Sequence, residues 1–294
     1  MRARKLFGYL IAILLVLGTA GWVTAQEVTL DAPPPAVPPA LAHEGPIAQQ
    51  VVRQVDLKPS LTFRVPGGND EWLEGGDITI RWVSSGPIRT VRLYYYGDFT
   101  RLGGDSRGSF SAVIADQAPN SGEYHWVVPW IDSSGFIVRL AGFDLDGKLI
   151  AECEHGVNFR PSEAADLSGT FIVVSKRRQR LWYYQHDQLK WLDIVSTAAE
   201  GYETPDMSPG SGGRRGDMGR VFYKDPDAFS HEYQVHMLWW MAITSSGSHG
   251  LHATSPNLYD DLGAPASHGC VRQTRSDAHS LYEMVSIGTR VYVK

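Results

Sequence analysis

The stretch SHGLHATSPNLYDDLGAPASHGCVR, residues 248–272, holds the densest group of chemically active side chains in the sequence. It places Cys270 close in sequence to three histidines, His249, His252 and His268. A thiol attacks a carbonyl group as the thiolate, so a nucleophilic cysteine needs a nearby imidazole to take its proton. Gly269 leaves room for a substrate carbonyl beside Cys270, and the backbone N–H groups of both residues are candidate donors to a developing oxyanion. The pattern predicts a cysteine nucleophile.

This stretch resembles the signature of the L,D-transpeptidase catalytic domain, also called the YkuD domain. The signature is a histidine, a gap, then Ser/Thr-His-Gly-Cys, a hydrophobic residue and Asn or Arg, which matches His252 followed by SHGCVR at 267–272. Thr204-Pro205 is similar to the family's upstream Thr-Pro, and GTRVYV at 288–293 looks like its closing strand. The resemblance covers residues 168–294. It implies a β-rich catalytic domain with a short C-terminal helix.

The resemblance also implies roles for individual residues. Cys270 would be the nucleophile and His252 its general base, oriented by a backbone carbonyl next to it, that of Ala253. Three residues would shape the oxyanion site and the pocket, namely Ser267, His268 and Gly269. Arg272 could hold a substrate carboxylate as a bidentate partner. His249 is an extra imidazole three residues before the expected base, and the sequence leaves open whether it shares that role or binds substrate.

The reaction implied by the resemblance is acyl transfer on a peptidoglycan stem peptide, with no cofactor. Cys270 would attack the L,D peptide bond of a tetrapeptide donor, expel D-alanine and form a thioester. An amine of a second stem peptide, or of an envelope protein, would then resolve the thioester, and the former gives a 3→3 cross-link. Water as the acceptor would make the protein an L,D-carboxypeptidase. Carbapenem-type β-lactams are expected to acylate Cys270.

Two other classes of function remain open from the sequence. His249 and His252, with His268 or Cys270, are ligand types that zinc accepts, as in a zinc-dependent wall peptidase. The spacing of the first two histidines suits a helix, but Pro256 follows closely and breaks one, so we expect no metal. The other class is a non-catalytic cell-wall-binding protein. A disulfide between Cys153 and Cys270 is a further alternative, and it would remove the nucleophile.

The segment between Thr204-Pro205 and His252 departs from the family pattern. Residues 200–219 are rich in Gly, Pro, Ser and charge, which predicts a long loop that acts as a lid or a binding loop. Arg214 and Arg215 in this loop are expected to be solvated, and a role in binding an anionic stem peptide stays open. Trp239 and Trp240 are predicted to lie in the core, with the alternative that one of them lines the groove.

The N-terminus indicates export. Residues 1–25 combine a cationic start, an apolar run and small residues before a cleavage point after Ala25, as in a signal peptide or an uncleaved anchor. Residues 26–59 form a linker that contains DAPPPAVPPAL, a proline-rich spacer. We therefore expect a location in the periplasm or cell envelope of a bacterium. The only expected membrane contact is through the N-terminal segment.

Residues 60–161 predict an antiparallel β-sandwich. Apolar and polar residues alternate in ITIRW at 78–82 and VRLYY at 91–95, and turn signals such as Pro119-Asn120-Ser121-Gly122 recur between such runs. The order of elements, notably GEYHWVVP at 122–129 followed by FIVR at 136–139, resembles the immunoglobulin-like modules of secreted cell-wall proteins. The fold expected for the chain is therefore mainly β, with this Ig-like sandwich, a linker, PSEAADL, at 161–167 and the catalytic domain at 168–294. Within that domain the charged run KRRQ at 176–179 predicts a hairpin turn, and Ser276 predicts the cap of a short helix over 277–286.

Composition narrows the choice of partners. Hydrophobic residues make up 43% and charged residues 20% of the chain, enough apolar surface to build packed cores. The formal net charge is −5, and loss of the cationic N-terminus would make it more negative. Binding to nucleic acid depends on cationic contacts to phosphates, so this class of partner is excluded.

Overall fold

The structure is a computed structural model that describes residues 57–99, 108–212 and 216–294. The predicted signal peptide, most of the proline-rich linker, and Arg214 and Arg215 lie outside these residues. The described chain is mainly β, as the sequence predicted. Within the described ranges, no helix is long and apolar enough to cross a membrane.

The first part of the described chain is a sandwich of two sheets. Its eight strands are β1 (Ser60–Val65), β2 (Glu71–Leu73), β3 (Asp77–Ser85), β4 (Thr90–Asp98), β5 (Ser109–Pro119), β6 (Glu123–Val127), β7 (Gly135–Phe143) and β8 (Leu149–Arg160). One sheet has the strand order β1-β3-β6 and the other β2-β8-β7-β4-β5. Side chains of both sheets form one buried cluster, which includes Ile80, Trp82, Leu93, Leu140 and Phe159. The immunoglobulin-like assignment of this sandwich stays a prediction.

The second part is built on one eight-stranded sheet. Its strands are β9 (Phe171–Ser175), β10 (Arg180–Gln185), β11 (Gln188–Ile194), β12 (Met218–Ser230), β13 (Val235–Thr244), β14 (Gly250–Ala253), β15 (Val271–Gln273) and β16 (Arg290–Val293). The strand order is β11-β10-β9-β16-β12-β13-β14-β15. The C-terminal strand β16 pairs in parallel with β9, so the chain end closes the centre of the sheet. β14 and β15 are also parallel neighbours.

The short helix α1 (Arg275–Met284) begins two residues earlier than the sequence predicted. The expected helix was 277–286 with Ser276 as its cap, but the cap is Thr274, whose hydroxyl oxygen accepts a hydrogen bond from the Asp277 backbone N–H at 3.1 Å. A Thr side chain satisfies one of the unpaired N–H groups of the first turn, which fixes the start of the helix. Leu281 is fully buried against the sheet.

A long hairpin formed by β12 and β13 was not predicted. The two strands pair over most of their length, from Met218–Thr244 to Ser230–Val235, and are connected by residues 231–234. The segment PSEAADL at 161–167, expected to be a linker, contains a 3₁₀ helix, Ser162–Ala164, in which Ala164 is fully buried. A second 3₁₀ helix, Pro256–Asp261, lies between β14 and β15.

Candidate active site

A pocket of about 440 Å³ lies where the β12–β13 hairpin meets the segment before β15. Its lining residues are Glu232, Tyr233, Val235, Met237, Ser248, His249, His252, Ser267, His268, Cys270 and Arg272. All the predicted site side chains other than Ala253 and Gly269 therefore reach one pocket. Gly269 flanks Cys270 in the chain, and Ala253 contributes a carbonyl behind His252.

The pairing of β14 with β15 determines which side chains meet. In this parallel register His252 lies opposite Arg272, and Leu251 lies opposite Val271. Successive residues of a strand point to opposite faces of the sheet, so Leu251 and Val271 are buried on one face. Cys270, two residues before Arg272, lies on the same side as Arg272 and His252. The register thus brings a thiol, an imidazole and a guanidinium together.

His252 is held in one tautomer. Its Nδ1 lies 2.8 Å from the carbonyl oxygen of Ala253, and a carbonyl only accepts, so Nδ1 carries the proton. The neutral ring then has its lone pair on Nε2, where it is available to take a proton. Trp240 packs against the ring with 5.7 Å between centroids, which restricts the orientation of the ring. In this tautomer the ring of His252 can accept a proton at Nε2.

Burial keeps both His252 and Cys270 neutral. It lowers the pKa of His252 to about 4. The hydrogen bond to the Ala253 carbonyl raises this pKa, whereas the charge of Arg272 lowers it. Burial also raises the pKa of the Cys270 thiol, partly offset by a hydrogen bond from the Gly250 backbone and by Arg272. Near pH 7 the pocket therefore contains a neutral thiol and a neutral imidazole, and the imidazole is able to accept a proton.

Ser267 organises the chain around the thiol. Its Oγ donates to the carbonyl of Cys270 at 2.5 Å and accepts from the backbone N–H of Gly269 at 3.1 Å. Ser267 is 1% exposed, so these bonds are shielded from water. The Gly269 N–H is therefore already engaged, and the N–H of Cys270 is the better candidate donor to an oxyanion.

Thr204, from the upstream Thr-Pro, anchors the same segment from the other side. Its hydroxyl donates to the carbonyl of Gly269 at 2.8 Å and accepts from the N–H of Ala198 at 3.0 Å. Thr204 is buried. Thr204 thus connects the long loop to the segment that carries Cys270. A second loop residue, Tyr202, contacts His268, with 4.3 Å between the ring centroids.

His249 is engaged at both ring nitrogens. Its Nε2 lies 3.2 Å from the carbonyl oxygen of Glu203, which can only accept, so Nε2 is the protonated nitrogen. Its Nδ1 lies 3.0 Å from the Ser248 hydroxyl, which donates to it in that tautomer. With its lone pair occupied, His249 is the weaker of the two candidate bases.

His268 and Arg272 lie at the rim of the pocket, where His268 is exposed and Arg272 is partly buried. Arg272 donates to the carbonyl of Ala266 at 3.0 Å and approaches Nδ1 of His268 at 3.4 Å. The ring of His268 lies between Tyr202 and Tyr233, with 4.9 Å between the centroids of His268 and Tyr233. These contacts place a cation at the pocket wall, beside Cys270.

Sequence reasoning missed the hairpin wall of the pocket. Glu232 and Tyr233 lie in the turn of the hairpin, and Val235 and Met237 follow at the start of β13. No motif in the sequence marks these residues. For the neighbouring residues Trp239 and Trp240 the sequence predicted a place in the core. Trp240 is buried as expected, whereas Trp239 is partly exposed and stacks on His279 with 4.2 Å between centroids.

The two cysteines are not bonded to each other. Cys153 lies in β8 of the sandwich, and both thiols are free. Burial raises the pKa of Cys153 to about 11, so it is a poor nucleophile. Among the residues that the structure describes, no three His, Cys, Asp or Glu side chains are placed to hold a metal ion.

Comparison with known proteins supports the resemblance of the second part. Residues 169–293 match the family model of the L,D-transpeptidase catalytic domain (YkuD), which confirms the prediction for this domain. A search of curated proteins found no match.

Several solved structures are similar. An L,D-transpeptidase from Stackebrandtia nassauensis is 26% identical, with 44% of this chain and 56% of that chain covered and a TM-score of 0.36. An L,D-transpeptidase from Mycobacterium smegmatis is 14% identical, with 80% and 99% covered and a TM-score of 0.37. The catalytic domain of the Enterococcus faecium L,D-transpeptidase is 22% identical, with 44% and 99% covered and a TM-score of 0.35. This chain thus spans little more than half of the first of these proteins.

Proposed function

From the L,D-transpeptidase catalytic domain at residues 169–293, we propose that the protein is a peptidoglycan L,D-transpeptidase with Cys270 as its nucleophile. The observation that carries this proposal is the tautomer of His252. The 2.8 Å hydrogen bond to Ala253 leaves Nε2 as a proton acceptor in the pocket that also contains Cys270. A thiol and an acceptor imidazole in one pocket are what acyl transfer through a thioester requires.

The first half-reaction is acylation. The sulfur of Cys270 attacks the carbonyl carbon of the L,D peptide bond while Nε2 of His252 takes the thiol proton. The resulting oxyanion is stabilised by the backbone N–H of Cys270. Collapse of the tetrahedral intermediate breaks the C–N bond, and the imidazolium gives its proton to the leaving amine of D-alanine. A thioester on Cys270 and a neutral His252 remain.

The second half-reaction reverses these roles. An acceptor amine attacks the thioester, His252 takes the amine proton, and the Cys270 sulfur leaves and recovers a proton from the imidazolium. Arg272, at the rim, is suited to hold a carboxylate of the anionic stem peptide. An amine of a second stem peptide gives the 3→3 cross-link, an envelope protein gives an attachment, and water gives carboxypeptidase activity.

The proposed location is the bacterial cell envelope, where the peptide substrate resides. This part of the proposal rests on the N-terminal sequence, in which a cationic start and an apolar run precede a proline-rich spacer.

The test is acylation of the purified full-length protein by a carbapenem, followed by intact mass and peptide mapping. We expect one adduct on Cys270, absent from Cys270→Ala and formed slowly by His252→Gln. Cys153→Ala is the matched control, since it removes the other thiol of the chain and should leave the adduct unchanged. Wild-type protein that stays unmodified, or an adduct that persists in Cys270→Ala, would overturn the proposal.

A donor assay then separates the acceptors. Purified tetrapeptide stems, incubated with the protein, should release D-alanine and yield a cross-linked dimer visible by mass spectrometry. Release of D-alanine with only tripeptide formed would assign hydrolysis instead of transfer.

A further inference from the structure

The turn between β9 and β10 contacts the sandwich, and hydrogen bonds through Thr197 and Thr204 connect it to the segment that carries Cys270. This β9–β10 turn consists of residues 176–179, Lys-Arg-Arg-Gln. Two of its neighbouring residues face in different directions. Arg178 reaches into the sandwich, whereas Gln179 is 2% exposed and reaches into the catalytic domain.

Arg178 is enclosed by residues from outside the catalytic domain. Its guanidinium makes two hydrogen bonds to the carboxylate of Glu74, at 2.7 and 2.5 Å, and lies 3.2 Å from Glu163. It also stacks on Trp130 with its Cζ 3.8 Å from the ring centroid. The Arg178 side chain is only 7% exposed, so this is a shielded, bidentate pair rather than a surface ion pair.

Gln179 uses its side-chain amide on Thr197, which follows β11, and on its own turn. Its Oε1 accepts from the backbone N–H of Thr197 at 2.7 Å, and its Nε2 donates to Oγ1 of Thr197 at 2.7 Å and to the carbonyl of Lys176 at 2.5 Å. The two buried hydrogen bonds to Thr197 hold this residue against the turn. Removal of the amide would leave the buried groups of Thr197 without partners.

Thr197 in turn holds the segment at 266–270, here called the catalytic loop. Its carbonyl accepts from the backbone N–H groups of Ala266 and Ser267, each at 2.9 Å. Ser267 then donates to the Cys270 carbonyl and accepts from the Gly269 N–H. An unbroken series of hydrogen bonds therefore runs from Gln179 to the residue that carries the thiol.

A second series leaves the same turn. The ammonium of Lys176 donates to the carbonyl of Thr204 at 3.2 Å and forms an ion pair with Asp206. The hydroxyl of Thr204 donates to the carbonyl of Gly269. The first series ends on Gly269 and Cys270, and the second ends on Gly269. The position of the turn therefore determines the position of the catalytic loop.

We propose that Gln179 is a positioning residue for Cys270, and that the sandwich holds the β9–β10 turn in its working position through Arg178. The sandwich then contributes to the reaction through a specific contact. None of the residues that line the pocket belongs to the sandwich. This inference rests on the proposed function, because it assigns how that reaction's nucleophile is placed.

The test measures how the rate of Cys270 acylation by a carbapenem depends on carbapenem concentration. Gln179→Met keeps the length of the side chain and removes its hydrogen bonds. Because a misplacement of about 1 Å costs up to ~100-fold in rate, we expect the limiting acylation rate to fall about tenfold or more. The half-saturating concentration should stay within about twofold, because the pocket lining is unchanged. Arg178→Met should shift the limiting rate in the same direction.

Glu71→Gln is the matched control. Glu71 belongs to the sandwich, and its carboxylate pairs with Arg160, at 3.1 Å between Arg160 Nη1 and Glu71 Oε2. Arg160 in turn lies over the ring of Tyr184 in the catalytic domain, with its Cζ 5.0 Å from the centroid, and in the described structure neither side chain bonds to the β9–β10 turn. This variant should keep the wild-type limiting rate. An equal loss of rate in Glu71→Gln and Arg178→Met would show a general interface effect and overturn the role of Arg178.

Gln179→Asn covers the case in which Gln179→Met does not fold. Asn keeps a neutral amide that is one methylene shorter and can make only part of the three hydrogen bonds, so an intermediate rate is expected. Folded Gln179→Met or Gln179→Asn protein with the wild-type limiting rate would overturn the role of Gln179. Wild-type protein without any adduct would instead refute the proposed function, and iodoacetamide alkylation of Cys270 would then compare the same variants.

Discussion

The hydroxyl of Thr204 donates a hydrogen bond of 2.8 Å to the carbonyl of Gly269, a residue 65 positions later in the sequence. The bond joins the long loop before β12 to the residue that precedes the thiol. It is buried, and the Thr204 hydroxyl is itself held by the N–H of Ala198. The loop, for which the sequence left a lid and a binding loop as alternatives, therefore also supports the segment that carries Cys270.

Thr204→Val tests this support. Valine has nearly the same shape but leaves the Ala198 N–H and the Gly269 carbonyl without a partner, a cost of about 1–3 kcal/mol in the free energy of unfolding. We expect the acylation rate of Cys270 to fall about tenfold, because the catalytic loop loses one anchor. Urea unfolding and carbapenem acylation measure the two effects. Thr204→Ser keeps the hydroxyl and should restore most of the rate, and an inactive but stable Thr204→Ser would contradict the explanation.

The acid limit of the reaction should follow the low pKa of His252. The imidazole accepts a proton only when neutral, and its pKa of about 4 keeps it neutral well below the usual histidine range. The acylation rate should thus hold from neutral pH to about pH 5 and halve near pH 4. A rate profile with its acid midpoint near 6.5 would show that His252 is not the base, or that it is exposed in solution.

The same burial makes stability depend on pH. The pKa of His252 is lower in the folded state, about 4, than in the unfolded chain, about 6.5, so the unfolded state binds the proton first as pH falls. The contribution to stability is fully present above about pH 6.5 and is lost progressively towards pH 4, by about 3 kcal/mol in total. Urea unfolding at pH 7 and pH 4.5 should show a smaller difference for His252→Gln than for wild type. Equal differences in the two proteins would contradict this origin.

Gly269→Ala should damage the site for two separable reasons. Gly269 has φ of +132°, which favours glycine, and an added Cβ would lie 3.0 Å from the carbonyl oxygen of Glu203 and 3.2 Å from Nε2 of His249. We expect a loss of at least about 1–3 kcal/mol in unfolding free energy and a large loss of acylation rate. Gly201→Ala is the control, because Gly201 has φ of +88° with no atom within 4 Å of the added Cβ. It should show the backbone cost alone and keep the acylation rate.

Gly250→Ala tests the packing behind the general base. An added Cβ would lie 2.5 Å from the ring of Trp240, the residue that packs against His252. The ring must move, so overpacking should cost about 1–3 kcal/mol and lower the acylation rate. The double variant Gly250→Ala/Trp240→Leu makes room for the methyl group and should recover part of the stability. No recovery in the double variant would rule out the clash as the cause.

Much of the fold and site followed from local sequence. The alternation in β3 predicted a strand with Ile80 and Trp82 buried, which the structure has. Charged residues at 176–179 between two apolar runs predicted the turn between β9 and β10. The helix near the C-terminus was predicted two residues too late, because Thr274 and Ser276 are both good caps and only the packing selects between them.

The sequence by itself determined the catalytic family of residues 169–293, the thiol, and the set of histidines beside it, because these depend on residue types at short spacing. Tertiary structure decided which histidine keeps a ring nitrogen that can accept a proton. The pairing of β14 with β15 sets His252 beside Arg272, and contacts from Glu203 and Ser248 engage His249. It also decided that the β12–β13 hairpin forms the pocket wall. Strand register and loop contacts join residues far apart in sequence, and no local pattern encodes them.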